Sequence, residues 1–130
     1  MQFRCFCVFG ILFALSSQLA AKEAMRIDIR ELPKVSHGLI GQRITTHGCL
    51  TVARPHGEFI SPCDSKDWHE LVLAYEADGV ITSLPTSVAF GVIEGDFTGV
   101  LEELPITWPK PGKRVFMRIE KIMNAKRHEP

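Results

Sequence analysis

Residues 42–54 constrain the fold more than any other stretch of the chain. Ile44, Thr46, Gly48, Leu50 and Val52 alternate there with Thr45, His47, Cys49 and Thr51, the period-two pattern of a strand with one buried face. His47 and Cys49 fall on the same side of it. A glycine in the middle of so long a strand predicts a bend or bulge at Gly48. Arg54-Pro55-His56-Gly57 reads as a turn, which makes residues 58–61 the hairpin partner.

The remaining chain is written in the same grammar of short apolar alternations separated by Gly, Pro and Asp. Ile27 and Ile29 suggest a first short strand, and residues 31–39 a helical turn or loop around Pro33. A third strand is expected over 69–76, where Leu71, Leu73 and Tyr75 alternate with Glu70, Val72 and Ala74. Residues 80–85 read as loop or short helix. Val88, Phe90 and Val92 suggest a fourth strand that ends at Glu94-Gly95-Asp96, a combination typical of turns. Glu102 and Glu103 point to opposite sides of an extended chain and flank a turn before Pro105. Trp108-Pro109-Lys110-Pro111-Gly112 is a rigid turn, and Val115, Met117 and Ile119 mark a last strand with Arg114, Arg118 and Glu120 outward. Phe59, Phe90, Phe97 and Phe116 all sit in apolar alternation that suits a core. Five to six strands with no strong amphipathic helix fit a mainly β fold, a small Greek-key barrel.

Ahead of this domain stand Arg4, an apolar run from Phe6 to Leu15 and a small-residue stretch ending Gln18-Leu19-Ala20-Ala21, the three-part build of a secretory signal peptide. Ser16, Ser17 and Gln18 stop the run well short of the roughly 20 apolar residues that span a bilayer. Lys22-Glu23 follows where a lipoprotein would carry cysteine. The expected organisation is a cleaved leader over 1–21 and one β-barrel domain over 22–130, with its core at about 38–122. That places the mature chain in the periplasm or outside the cell, without stable membrane insertion. Removing 1–21 leaves 14 basic against 15 acidic side chains, a net charge of −1. Lys110-Pro-Gly-Lys-Arg114 reads as a solvated turn and Lys126-Arg127-His128 as a frayed terminus, so nothing supplies the basic surface that nucleic acid requires.

Cys49 and Cys63 are the only thiols outside the leader, which holds Cys5 and Cys7. In an oxidising compartment an even pair this close forms one disulfide, and closing a loop of about 15 residues contributes roughly 3 kcal/mol. A zinc site is the alternative, since His47 and His56 lie near Cys49 and His69 follows Cys63. No C-x-x-C or H-x-x-x-H spacing supports it, so neither metal nor cofactor is expected. Ser61, Ser65 and Ser83 have Asp64, Asp67 and His69 nearby in part, yet none sits in a G-x-S-x-G turn, and a polar cluster after Pro62 is what a surface loop needs anyway. Trp68 and Trp108 fall in polar or proline-rich segments, where a large aromatic either covers a barrel end or anchors a partner.

Gly41-Gln-Arg-Ile-Thr-Thr-His-Gly-Cys-Leu50, followed by His56-Gly-Glu-Phe-Ile-Ser-Pro-Cys63 and later by Val92-Ile-Glu-Gly-Asp-Phe97, resembles small exported bacterial OB-fold-like proteins of unassigned function. Their first strand has a G-x-x-V-x-x-x-G-x-L pattern and runs into a short loop. The likeness spans about residues 38–122 and implies an OB-like barrel and bacterial export. The function expected from export, small size, a disulfide-braced barrel and the lack of a catalytic set is a non-enzymatic binding module. It would dock a protein of the cell envelope, in the manner of an inhibitor or immunity protein, through loops carrying His56, Asp67, Trp68, His69 and Trp108. A binder of a small ligand, glycan or metal is the alternative, and a small hydrolase a third reading.

Overall fold

The computed structural model describes residues 23–52, 58–65, 70–77, 79–89 and 91–129. The leader 1–21, the 54–57 turn, Asp67, Trp68, His69 and Phe90 lie outside the described residues. Among the described residues six strands are present: β1 (Met25–Arg26), β2 (Arg43–Val52), β3 (Glu58–Ser61), β4 (Val72–Glu76), β5 (Ile93–Ile106) and β6 (Gly112–Arg127). They lie in the order β1-β2-β3-β4-β6-β5, and β5 pairs back onto β2, closing a five-stranded barrel with β1 as an extra strand. β4 and β6 pair in parallel, whereas β2–β3, β3–β4, β2–β5 and β5–β6 are antiparallel.

The β2 alternation places its side chains as the sequence pattern predicts. Ile44, Thr46, Gly48 and Leu50 are buried while Thr45 and His47 face outward. Ile44, Leu50, Ile60, Ile93, Phe97, Leu101, Met117 and Ile119 are fully enclosed in the barrel, and each such side chain contributes about 1.5–3 kcal/mol through its removal from water. Ile29 and Leu32 join this core from the segment before β2. Leu32 belongs to α1 (Leu32–Val35), a single turn with proline at its start that continues as a 3-10 turn over Ser36–Leu39. Val80, Ile81, Leu84 and Val88 pack over the core between β4 and β5.

Several elements differ from the sequence expectation, each for a local reason. The first strand is Met25–Arg26, and Ile29 is instead buried in the turn that follows. The third strand begins at Val72, and its buried face is Val72 and Ala74, so Leu73 and Tyr75 point outward. Phe59 and Phe116 flank Leu73 in register on the neighbouring strands. They are therefore half-buried on the outer face rather than in the core, unlike Phe97. Val88 lies in the helical turn α2 (Thr86–Ala89), not in a strand.

The largest correction concerns Glu94-Gly95-Asp96, which is no turn but the interior of the 14-residue strand β5. Glu102 and Glu103 likewise lie within β5, and 126–127 within β6 rather than in a frayed tail. Two register shifts separate β5 from β6, between Glu94/Asp96 and between Thr98/Gly99. At each shift β6 carries one residue more than β5. Gly95 and Gly99 stand opposite those bulges. A Cβ at Gly99 would lie 2.1 Å from the Arg118 carbonyl oxygen, and one at Gly95 would lie 3.1 Å from that of Met123, so glycine is what admits the extra β6 residue. Gly48, where the sequence predicts a bend or bulge, carries no bulge: the β2 register is unbroken against both β3 and β5. Its constraint is close approach: a Cβ there would stand 2.9 Å from Ile60 Cγ2 and from the Ser61 carbonyl oxygen.

Candidate functional site

The Cys49–Cys63 pair is bonded, closing a sequence separation of 14, and marks one end of a polar strip on the outside of the barrel. The strip arises from strand register. Thr45, His47 and Cys49 on β2 stand opposite Thr98, Asp96 and Glu94 on β5. The two threonine hydroxyls meet at 2.7 Å, His47 Nδ1 lies 3.0 Å from Asp96 Oδ1, and Glu94 lies beside the disulfide. The β6 bulge opposite Gly95 contains Asn124, whose φ of 54° falls in the left-handed region that asparagine tolerates. This aims its amide at Asp96 Oδ2, 3.0 Å away.

Asp96 thus gathers three partners. The Asn124 hydrogen bond, followed by that of His47 and the charge of Arg26, holds its carboxyl below the usual carboxylate range against the opposing effect of partial burial. Glu94 is treated similarly: the Lys126 ammonium, 2.8 Å from Oε2, is the main cause of its lowered pKa, with smaller contributions from His47 and His128. His128 Nδ1 lies 3.5 Å from the other oxygen, Oε1. Its backbone N–H donates to the Val92 carbonyl at 2.8 Å, tying the chain end to the start of β5. Cys49 Sγ, Cys63 Sγ, a Glu94 oxygen and a His128 nitrogen all lie within 4.8 Å of one another. This is a different donor set from the one the sequence suggested, because strand pairing brings in Glu94 and His128 while His47 turns to Asp96.

Beside the disulfide runs a groove of about 460 Å³. It exists because one edge of β2 is shared by two short neighbours: β1 pairs at Ile44 and Thr45, and β3 begins at Cys49. The interval at His47 and Gly48 is left as the floor, with residues 26–30 on one wall and Pro62, Cys63 and Asp64 on the other. Arg30 bridges the walls by an ion pair with Asp64, and Asp28 Oδ1 accepts from the Arg30 backbone N–H at 2.8 Å. Arg26 reaches Asp96 at 3.5 Å. The basic groups of the groove are therefore matched by acids.

Of the residues singled out from sequence, His56, Asp67, Trp68 and His69 lie outside the described residues. Trp108 is 75% exposed, so it does not cover the barrel end. It sits at the tip of a hairpin in which β5 and β6 continue as a pair through Glu102–Phe116, Leu104–Arg114 and Ile106–Gly112. Residues 107–114 are all exposed, and Lys113 is steadied by Glu103 at 3.9 Å. At the hairpin's base Tyr75 donates to Glu102, and burial followed by that contact raises the tyrosine pKa. Arg118 approaches Glu102 and Glu120, and Arg43 binds Glu120 through both oxygens. Of the groups weighed for a hydrolase, Ser61 lies on β3, Ser83 Oγ donates to the Val80 carbonyl, and Asp64 is engaged by Arg30.

Among the described residues no helix is long and apolar enough to cross a membrane. Comparison with protein-family models, with curated proteins and with solved structures gives no match.

Proposed function

We propose that this chain is an exported, non-enzymatic binding module of the OB-like Greek-key class, which docks another protein of the cell envelope through the tip of the β5–β6 hairpin. The observation that carries the reading is Trp108, a large aromatic exposed at 75% on a turn held by strand pairing on both sides. Aromatic anchors of this kind dominate protein interfaces, and a braced hairpin reduces the ordering cost of association. Lys110, Lys113 and Arg114 are exposed on the same hairpin tip, which suits a partner with an acidic rim around an apolar pocket.

The OB-like assignment rests on the strand order. Counted from β2, the barrel closes as first-second-third-fifth-fourth, with the third and fifth parallel. In OB barrels the loop between the last two strands borders the ligand-binding face, and here that loop bears Trp108. Inhibitor or immunity proteins are the concrete form, because small export-competent barrels braced by a disulfide suit a passive blocking role.

Capture from an envelope extract tests the reading. Full-length chain immobilised on resin is expected to retain a defined protein at low and moderate salt. Failure to retain any protein across that range overturns the proposal. A second reading, a small-ligand binder, is favoured by the groove above Gly48. It predicts ligand-dependent thermal stabilisation by mass action, with the ligand competing for contacts now made by Arg30 and Asp64.

A further inference from the structure

We propose that Cys49, Cys63, Glu94 and His128 form a two-state centre: a disulfide when oxidised, and a four-ligand zinc site when reduced. The groups come from β2, the turn after β3, β5 and the residue just after β6, so only the folded barrel assembles them. Their donor atoms already lie within 4.8 Å of one another. In a tetrahedral zinc centre with Zn–S bonds of about 2.3 Å and Zn–N or Zn–O bonds of about 2.0–2.1 Å, ligand atoms stand roughly 3.3–3.8 Å apart. Once the disulfide is broken the two sulfurs must move apart to that spacing, while the more distant donor pairs close by an ångström or so.

The chemistry of the set suits zinc. Two thiolates, one imidazole and one carboxylate are all ordinary zinc ligands, and thiolate selects against the hard cations magnesium and calcium. A dithiol reductant supplies two electrons and two protons, breaking the Cys49–Cys63 bond as its own disulfide forms. Zinc then displaces the two thiol protons to solvent. The resulting centre carries a net charge of −1, which Lys126, 2.8 Å from Glu94 Oε2, offsets. Glu94 Oε1, on the side of His128, is the oxygen that turns to the metal. Partial burial supports the site: Cys49 is only 3% exposed, and Glu94 and His128 side chains are 16% and 28% exposed. Such a centre would keep β2 and the turn after β3 linked in either redox state, and in the reduced state it would bring β5 and the residue after β6 into the same clamp.

The test uses full-length chain carrying C5S and C7S, so that only Cys49 and Cys63 respond. After reduction with a phosphine, zinc and cobalt(II) are titrated in competition with a chromophoric chelator. One metal per chain is expected in the reduced protein and none in the oxidised protein. Cobalt should give the thiolate charge-transfer absorption and intense visible bands of a tetrahedral site. Glu94→Gln and His128→Ala should each weaken zinc binding by tenfold or more, while His47→Ala, which removes a nearby imidazole that faces Asp96, leaves it unchanged. Circular dichroism of the reduced chain with and without zinc separates binding from folding: recovery or stabilisation of β structure by one equivalent supports the site. No stoichiometric metal in the reduced chain, or binding that E94Q and H128A leave intact, overturns it.

Discussion

His47 and Asp96 face each other across the β2–β5 ladder with Nδ1 3.0 Å from Oδ1, a side-chain pair on the outside of the pairing that closes the barrel, which strand alternation alone does not reveal. Asp96 also accepts from Asn124 and lies 3.5 Å from Arg26, so one carboxylate links β2, β5, β6 and β1. Because its folded pKa lies below the ordinary value, its contribution is present above the unfolded pKa, near 3.9, and is lost as pH falls through the folded value. Asp96→Asn should lower stability at neutral pH by about 1 kcal/mol. Urea midpoints should show the gap between wild type and variant closing below pH 4.

The disulfide makes its contribution mainly through the unfolded chain. Replacing either Cys49 or Cys63 by serine should reduce stability by roughly 2–4 kcal/mol in metal-free buffer. Urea melts of oxidised and variant protein measure the difference, and coincident midpoints would deny it.

Gly99 is required by close approach, since a Cβ there would lie 2.1 Å from the Arg118 carbonyl oxygen and 2.8 Å from its carbon. Backbone cannot move aside as a flexible side chain can. Gly99→Ala should cost about 3 kcal/mol or more by forcing the β5–β6 pairing apart. Gly38→Ala is the control, having nothing within 4 Å of the new carbon, and its urea midpoint should stay close to wild type.

Thr46 is fully buried on the inward face of β2, and its Oγ1 has no hydrogen-bond partner. A hydroxyl removed from water without compensation is unfavourable. Thr46→Val keeps the shape and discards the polar atom, so it should raise stability by about 1 kcal/mol. A lower melting temperature for the variant would contradict this reading of the core.

Alternation made much of the barrel legible before the structure. The β2 face, the β3 partner, the inward Met117 and Ile119 and the turn read at 108–112, which the structure places at 107–111, follow from a two-residue period and proline chemistry. β5 is hidden in the sequence because Gly95 and Gly99 carry no apolar side chain on the inward face, and Glu94-Gly95-Asp96 has the composition of a turn. What decides between turn and bulged strand there is the extra length of β6, a relationship between segments about 25 residues apart. The proposed zinc-ligand set is hidden in the sequence for the same reason. Glu94 and His128 reach the cysteines only through strand register and the backbone bond from His128 to Val92. Leu73 shows the limit of alternation itself, since the pattern in 70–76 is apolar on both faces and burial selects Val72 and Ala74.

The role of the β5–β6 hairpin is tested most directly by titrating the captured envelope protein against wild-type chain and Trp108→Ala, with urea melts of both. A solvent-exposed anchor predicts an affinity loss of roughly thirtyfold, about 2 kcal/mol, with an unchanged urea midpoint. Unchanged affinity, or a stability loss of about 3–5 kcal/mol as expected for a core aromatic, would contradict docking through Trp108.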